Sequence, residues 1–429
     1  MNTLTTKIKN NTATVAVIGL GYVGLPLCKA LLNKKFKVFG FEKNLSRIKE
    51  IKLNKIKIAA VKRFNFKKKI DSKNLFLFNT FKKIEETDII VICVPTPLKN
   101  NNPDLSDIKN VIQNILKYIR PNQLIILESS TYPGTTKSLI VDKIKGNKII
   151  VGKNFFVGYS PEREDPGNKY FSLKKINKVV SGYSNQCAYL TDLFYKQFID
   201  NVYKAKNIET AEFSKLYENT YRNVNIALAN EAKILADKID LNIFDIIKCC
   251  KTKPFGFQAF YPGPGVGGHC IPIDPMYLSW LAKKNNFTTD IINLAVKINN
   301  DMPQRIFLHI KKYLNKTKIE NKKIFILGAA YKKNINDLRE SPIIKIINLF
   351  EKKKINFIYN DEYIPILKSK NLNKSYFSQK ISKKNLREYN TILMLTDHNY
   401  YNKNFIQKNC NIIFDTRNFF KINENVKTV

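Results

Sequence analysis

Arginine, histidine and tryptophan are scarce in this chain of 429 residues, with nine Arg among 73 basic residues, three His and one Trp. Arg is the side chain that reads bases and grips phosphate bidentately. The net charge of +38 is therefore carried almost wholly by Lys, spread along the entire chain. That describes a solvated lysine surface better than a nucleic-acid-binding patch, since charge alone speaks to solubility and non-specific attraction. Cysteine is also sparse: seven residues, an odd number, with no C-x-x-C pair. This excludes a disulfide framework and a zinc ribbon, and points to a reducing compartment. No apolar run approaches the ~18 residues of a membrane span. The polar stretch Met1–Asn11 lacks the apolar core of a signal peptide. A cytoplasmic protein is expected, with no membrane partner and no specific nucleic-acid partner.

What is present is an alternation. Short, nearly continuous apolar runs at Thr14–Ile18, Val38–Phe41, Leu75–Phe78, Asp88–Val94, Leu124–Leu127 and Phe156–Tyr159 suit parallel strands covered on both faces. Stretches such as Leu25–Lys34 and Asp107–Ile119 are long enough for crossover helices. From Glu209 the strand signals stop. Glu209–Lys238 predicts one long helix without Pro or Gly, Ile243–Lys251 a second, and a third tract runs from about Pro275 into the 290s. Strands return at Ile324–Leu327, Phe357–Tyr359, Thr391–Leu395 and Ile412–Phe414. The expectation is an α/β chain: two Rossmann-like doubly wound domains joined by a long central helix and a helical middle region, with boundaries 1–208, 209–320 and 321–429.

Three constellations carry chemistry. Gly19-Leu-Gly21-Tyr22-Val23-Gly24 follows the first strand and opens a helix. Such a loop brings backbone N–H groups and a helix N-terminus to a pyrophosphate. Glu42, about twenty residues on, ends the second strand, where an acid holds ribose hydroxyls and repels a 2′-phosphate. NAD is therefore expected over NADP, although Lys43 and Arg47 follow closely. On the long helix Lys215 and Asn219 share a face, with Asn223 a turn further. Phe213, Leu216, Tyr217 and Val224 bracket that stripe and can partly desolvate the lysine. Third, Tyr261-Pro-Gly263-Pro-Gly265-Val-Gly267-Gly-His269-Cys270 packs four Gly and two Pro into eight residues. That composition builds a loop whose backbone can approach a ligand closely. Cys270 ends it just before a helical tract, where a thiol can ionise and act as a nucleophile. His269 beside it suggests a metal, but with three His in total and no second cluster none is expected. Cys28, Cys93 and Cys187 suit inert, buried thiols.

These segments, together with Val94-Pro-Thr96-Pro, Ser129-Ser-Thr131-Tyr-Pro-Gly-Thr135, Ser160-Pro-Glu162-Arg163-Glu-Asp165-Pro-Gly-Asn168, Gly328-Ala-Ala-Tyr-Lys332, Asp337-Leu-Arg339-Glu-Ser-Pro342 and Leu395-Thr-Asp-His398, occur in an order that resembles the UDP-glucose/UDP-N-acetylhexosamine 6-dehydrogenase family over nearly the whole length. The resemblance implies NAD-dependent, four-electron oxidation of a sugar C6 alcohol to a carboxylate for surface polysaccharide biosynthesis. It makes Cys270 the nucleophile of a thiohemiacetal and thioester, Lys215 and Asn219 the oxyanion-stabilising pair, and Asp274 a water- and proton-handling carboxylate. Thr131 would position water, and Glu162 or Asp165 would assist hydrolysis. One departure is that Pro166 stands where UDP-glucose members carry a second glutamate. The resemblance also places Thr96, Thr131 and Lys332 near NAD, and Glu162, Arg163, Lys215, Asn219, Arg222, Tyr261, Gly263, Gly265, Gly267, Arg339 and Arg417 on the nucleotide-sugar side. It implies a homodimer or higher oligomer formed through the long helix. The Ser160–Asn168 and Tyr261–Gly265 strings favour UDP-N-acetylglucosamine, ahead of UDP-glucose, UDP-N-acetylmannosamine and UDP-N-acetylgalactosamine. A basic, non-catalytic nucleic-acid-binding protein is the rival from another class.

Overall fold

Uninterrupted apolar strands such as Leu124-Ile-Ile-Leu127 and Ile89-Ile-Val-Ile92 can be satisfied only in the middle of a sheet covered on both faces, and every residue of both is buried. A computed structural model of the chain describes residues 3–56, 58–144, 148–165, 173–316 and 323–429. The end of the Ser160 string (Pro166 to Asn168) and the expected 320/321 boundary lie outside the described residues. The chain divides into two compact units, Met1–Glu218 and Asn219–Val429.

In the first unit the strands are β1 (Thr14–Ile18), β2 (Lys37–Phe41), β3 (Leu75–Phe78), β4 (Ile89–Ile92), β5 (Leu124–Leu127), β6 (Phe156–Tyr159), β7 (Lys178–Gly182) and β8 (Val202–Lys204). Their order in one sheet is β8-β7-β6-β5-β4-β1-β2-β3. The run from β3 to β6 is the 3-2-1-4-5-6 order of a dinucleotide-binding sheet, whose ligands sit at the carboxyl ends where the order reverses, between β1 and β4. These six strands are parallel, whereas β7 pairs antiparallel with β6 and parallel with β8. β7 and β8 lie outside the expected strands, because Lys178, Gly182 and Lys204 break their apolar pattern. Two expected elements end earlier in the structure: β4 covers Ile89–Ile92 and the following helix Ser106–Ile115.

In the second unit β9 (Lys323–Leu327), β10 (Asn356–Asn360), β11 (Thr391–Met394), β12 (Ile412–Asp415) and β13 (Val426–Thr428) form an all-parallel sheet in the order β10-β9-β11-β12-β13. This is the 2-1-3-4-5 variant of the doubly wound fold, with its switch point between β9 and β11. The expected third helical tract is two helices, Asp274–Lys284 and Asp290–Lys316. Asn286 at φ 54° ends the first, because Asn tolerates the left-handed conformation that closes a helix.

The long helix is Ile208–Lys238, one residue longer than expected. Phe213, Tyr217, Tyr221, Leu228 and Leu235, at spacings of four and seven, are 44–62% exposed along it and fall on one stripe. Among the described residues no helix is long and apolar enough to cross a membrane.

Gly182, which ends β7, abuts the helix Asn185–Tyr195: a Cβ there would lie 2.1 Å from the Ala188 nitrogen and 2.4 Å from the Cys187 carbonyl carbon. Both are backbone atoms with no rotamer to yield. Gly182→Ala should cost about 1–3 kcal/mol or more, as overpacking does, seen as a lowered urea midpoint. Gly21→Ala, whose added carbon meets nothing within 4 Å, should stay within about 0.5 kcal/mol of wild type.

Candidate active site

The glycine-rich loop leaves β1 through Gly19, at φ +91°. Its N–H donates to the Phe41 carbonyl at 2.9 Å, tying the loop to the end of β2. A Cβ on Gly24 would fall 2.0 Å from the Gly19 carbonyl oxygen, so the helix Gly24–Asn33 packs on the turn only because residue 24 has no side chain. Val23, its cap, gives no side-chain hydrogen bond, and with Tyr22 it leads into the first turn. Glu42 reaches back to the loop: one carboxylate oxygen accepts from Leu20 N–H (3.1 Å) and the other from Asn44 N–H (2.9 Å). Open space at Gly21, close packing at Gly24 and an acid at the end of β2 fit an NAD pyrophosphate and ribose.

Thr96 and Thr131 are buried in the loops after β4 and β5. Thr131 Oγ1 is a buried hydroxyl oxygen without a hydrogen-bond partner among the described residues, which suits a group that binds water or substrate. Glu162, after β6, is held by three donors. One oxygen takes the Lys178 ammonium at 2.9 Å and the other the N–H groups of Arg163 (2.8 Å) and Glu164 (2.6 Å). Burial opposes its ionisation, but Lys178 and the Glu164 N–H outweigh that and hold the carboxyl below its usual range. Lys178 also meets Glu128 at 2.8 Å. Glu164 behaves oppositely: burial, then the Glu162 charge, push it up to about 8. Arg163 is engaged, its guanidinium pairing with Glu218 at 2.6 Å and donating to the Asn177 carbonyl at 2.8 Å.

Lys215 is buried and its charge helps keep Glu162 ionised. One turn earlier, Glu212 accepts from Gly134 N–H (2.6 Å), Thr136 N–H (2.8 Å) and Thr136 Oγ1–H (2.7 Å). It thereby clips the loop that carries Thr131 to the helix that carries Lys215. No sequence signal marked Glu212, since its partners are 76 or more residues away.

In the second unit Asn219 donates to the Asp274 carboxylate and accepts from Arg222, so three expected residues meet. The Cys270 carbonyl accepts the N–H groups of Ile273 (3.1 Å) and Asp274 (2.9 Å), placing the partly exposed thiol at the head of the helix Asp274–Lys284. The loop before it lies against the segments that follow β9 and β12 and against the helix Asp290–Lys316. Gly268 N–H donates to the Arg339 carbonyl at 2.8 Å. A Cβ on Gly267 would strike Tyr331, one on Gly265 (φ +116°) the Asn299 carbonyl oxygen, and one on Gly263 the Arg417 guanidinium. Arg417 and Arg339 thus meet the cysteine loop near Lys332, which follows Tyr331 after β9. Arg339 is clamped bidentately by Asp337 (3.0 and 2.6 Å) and Arg417 donates to the Leu395 carbonyl at 2.8 Å. Tyr261 is half exposed and stacks on Phe244. Burial and the Arg339 charge drive His269 down to about 4, so it is a neutral ring at pH 7.

Glu212 yields a pH test. Despite three donors, burial raises it from an ordinary 4.5 to about 7. Between those values the folded state holds the proton and the unfolded state does not. Stability therefore falls as pH rises from 4.5 to 7, by up to about 1.4 kcal/mol per pH unit. Glu212→Gln should flatten that fall, measured as urea stability at pH 5 and pH 7. Parallel slopes in the two proteins would contradict the assignment.

Comparison with known proteins matches three models of the UDP-glucose/GDP-mannose dehydrogenase family: its NAD binding domain at residues 13–199, its central domain at 209–301 and its UDP binding domain at 325–422. The chain is 36% identical to Protein CapL of Staphylococcus aureus over 96% of this chain and 97% of that protein. It is 34% identical to a UDP-N-acetyl-D-glucosamine 6-dehydrogenase of Pseudomonas aeruginosa, over 80% or less of each (78% and 79%). The solved structure of UDP-D-ManNAc dehydrogenase from Pyrococcus horikoshii superposes with a TM-score of 0.84 at 30% identity, covering 95% of this chain and 96% of that one. The chain belongs to the UDP-glucose/GDP-mannose dehydrogenase family of NAD-dependent oxidoreductases.

Proposed function

We propose that this chain oxidises the C6 alcohol of a UDP-2-acetamido-hexose to the uronic acid through a thioester on Cys270. The observation that carries this reading is the placement of Cys270: a partly exposed cysteine at the head of a helix, one turn from the Asn219–Asp274 pair, in a loop set against segments of the region that the UDP binding model matches. Bound at the Gly19–Gly24 loop, NAD supplies the hydride acceptor for both oxidations. Asp274 orders the water that takes the C6 hydroxyl proton. The Cys270 thiolate adds to the aldehyde carbon, and the resulting oxyanion is stabilised by Lys215 and Asn219, a cation and an amide donor suited to that charge. After the second oxidation, water attacks the thioester carbonyl; the carboxylate leaves and the thiolate is restored. Thr131 holds that water. Glu162 stays ionised beside Lys178, and Glu164, which keeps its proton to about pH 8, is a third carboxyl beside Glu162 and Asp165 able to move a proton in this step.

Relatives named for both the glucosamine and the mannosamine sugar support the acetamido class, since the two differ only at C2. UDP-N-acetylglucosamine is expected to be the better substrate, on the Tyr261–Gly265 string. Wild-type enzyme should release two NADH per sugar, and Cys270→Ala should lose turnover by orders of magnitude while folding normally. Lys215→Ala should slow the reaction about 10²–10³-fold, as removal of one oxyanion donor does. A panel of UDP-glucose, UDP-N-acetylglucosamine, UDP-N-acetylgalactosamine and UDP-N-acetylmannosamine, followed at 340 nm, tests the class. One NADH per sugar or an active Cys270→Ala would refute the mechanism; a strong preference for UDP-glucose would refute the substrate class.

The same reading makes the exposed stripe of the long helix a surface for a second copy of the chain. Contiguous apolar side chains at heptad spacing cost solubility unless covered. Leu228→Lys with Leu235→Lys should shift sedimentation from dimer to monomer. An unchanged sedimentation coefficient would place the contact elsewhere.

A further inference from the structure

Three buried asparagine amides form a ladder that leaves the cysteine loop for the long helix, crosses to the helix Asp290–Lys316, and returns through the long helix to the cysteine loop. Asn230 Oδ1 accepts the Gly263 N–H at 2.9 Å. Asn230 Nδ2 donates to Asn299 Oδ1 at 2.9 Å, and Asn299 Nδ2 donates to the Asn223 backbone carbonyl at 2.9 Å. Asn223 then donates from its own Nδ2 to the Ile271 carbonyl at 3.2 Å. All three residues are 0–1% exposed. The direction of the ladder is dictated by its ends. A backbone N–H can only donate and a backbone carbonyl can only accept, so each amide between Gly263 and Asn223 has one permitted orientation. The Asn299 backbone carbonyl makes a further contact, lying 2.9 Å from where a Gly265 Cβ would be.

The ladder therefore meets the cysteine loop at its first two glycines, Gly263 and Gly265, and again at Ile271, next to Cys270. A segment with four Gly in eight residues loses much conformational freedom when ordered, and residues 257–263 carry no regular secondary structure. Hydrophobic packing alone could fill the same volume without polar atoms, whose burial is costly unless every bond is made. A directional ladder does something apolar filler cannot, which is to fix the register of the loop backbone. We infer that Asn299, through Asn230 and Asn223, is a positioning residue that holds the Cys270 loop in its reactive register. The inference rests on the reading of Cys270 as the nucleophile. Asn223 Oδ1, buried and without a hydrogen bond among the described residues, leaves an acceptor beside Ile271.

The test uses Asn299→Ala, which breaks two rungs, and the milder Asn223→Ala, which removes only the bond to Ile271 and retains the backbone carbonyl that Asn299 needs. Iodoacetamide labelling is followed cysteine by cysteine by peptide mass spectrometry. Exposed Cys249 and Cys250 serve as the internal rate standard, and buried Cys28, Cys187 and Cys410 report unfolding. With the register lost, Cys270 should label several-fold faster relative to Cys249 and Cys250, the buried thiols staying protected. The kcat should fall about 10–100-fold, as small misplacements of a reacting group do, with NAD affinity unchanged. If Asn299→Ala unfolds and exposes the buried thiols, Asn223→Ala decides. An unchanged Cys270 labelling ratio, or a kcat loss matched by the unfolded fraction, would overturn the inference. A fully active Cys270→Ala would instead overturn the nucleophile reading and leave the labelling result to judge the ladder.

Discussion

Lys178 carries an ammonium into the first unit with 3% of its side chain exposed, between Glu128 at 2.8 Å and Glu162 at 2.9 Å. Taking such a charge out of water costs several kcal/mol unless partners are in place, and removing one partner of a buried pair costs about 3–5 kcal/mol. The geometry of the sheet supplies those partners. Glu128 follows β5 and Glu162 follows β6, so both stand at the carboxyl ends of parallel strands. β7 runs antiparallel to β6, with Tyr159 opposite Ser181, and its first residue therefore arrives at that same edge. A parallel β7 would begin at the other end. The reversed strand, which looks like an irregularity in a doubly wound sheet, is what brings the cation to the carboxylates. Tyr195 O–H at 2.5 Å and the Cys93 thiol at 3.4 Å complete the bonding of Glu128, which explains why Cys93 is an inert, buried thiol.

That cluster also sorts the carboxyls around it. Glu162 is kept ionised because an ammonium touches it, and Glu164 is kept protonated near neutral pH because it is buried and, second, because Glu162 beside it is ionised. Two neighbouring carboxyls with pKa values pushed apart are the arrangement that acid–base chemistry requires. Glu212 and the Thr131 loop show the same economy on the helix side, where one buried carboxyl ties a loop to the helix that carries Lys215.

What could be read in the sequence is what acts over short range. Gly19, Gly21 and Gly24 announce their turn because the constraint lies within six residues, and Leu124–Leu127 announces a central strand because nothing polar interrupts it. Cys270 stands out in the sequence because it ends a Gly/Pro-rich loop just before a helical tract, whereas Asp274 is marked only by the family resemblance. Lys178, Glu212, Asn230 and Asn299 carry no such mark. Each is one of many residues of its type, and each acquires its meaning from partners 16 to 78 residues away. Loop closure over such distances leaves no periodicity to detect. The break at Asn286 was missed for a different reason: the tract is helical on both sides, and a single left-handed residue ends it.

The charge of +38, which at first invites a nucleic-acid reading, acquires another sense once the ligands are anionic. NAD and a UDP-sugar both carry phosphate, and a surplus of surface lysine raises the local concentration of any such molecule, an attraction that salt screens over about 10 Å. It cannot choose among them. Short-range discrimination needs directional contacts of the kind found around the cysteine loop: a neutral His269 beside the cysteine, Arg339 paired with Asp337, Arg417 pressed against Gly263, and uncharged asparagine amides behind the loop. Long-range attraction and short-range, directional bonding are thus properties of different residues. The lysine content can drift with the composition of the proteome, whereas the few buried polar contacts around Cys270 cannot change singly without leaving a partner unpaired.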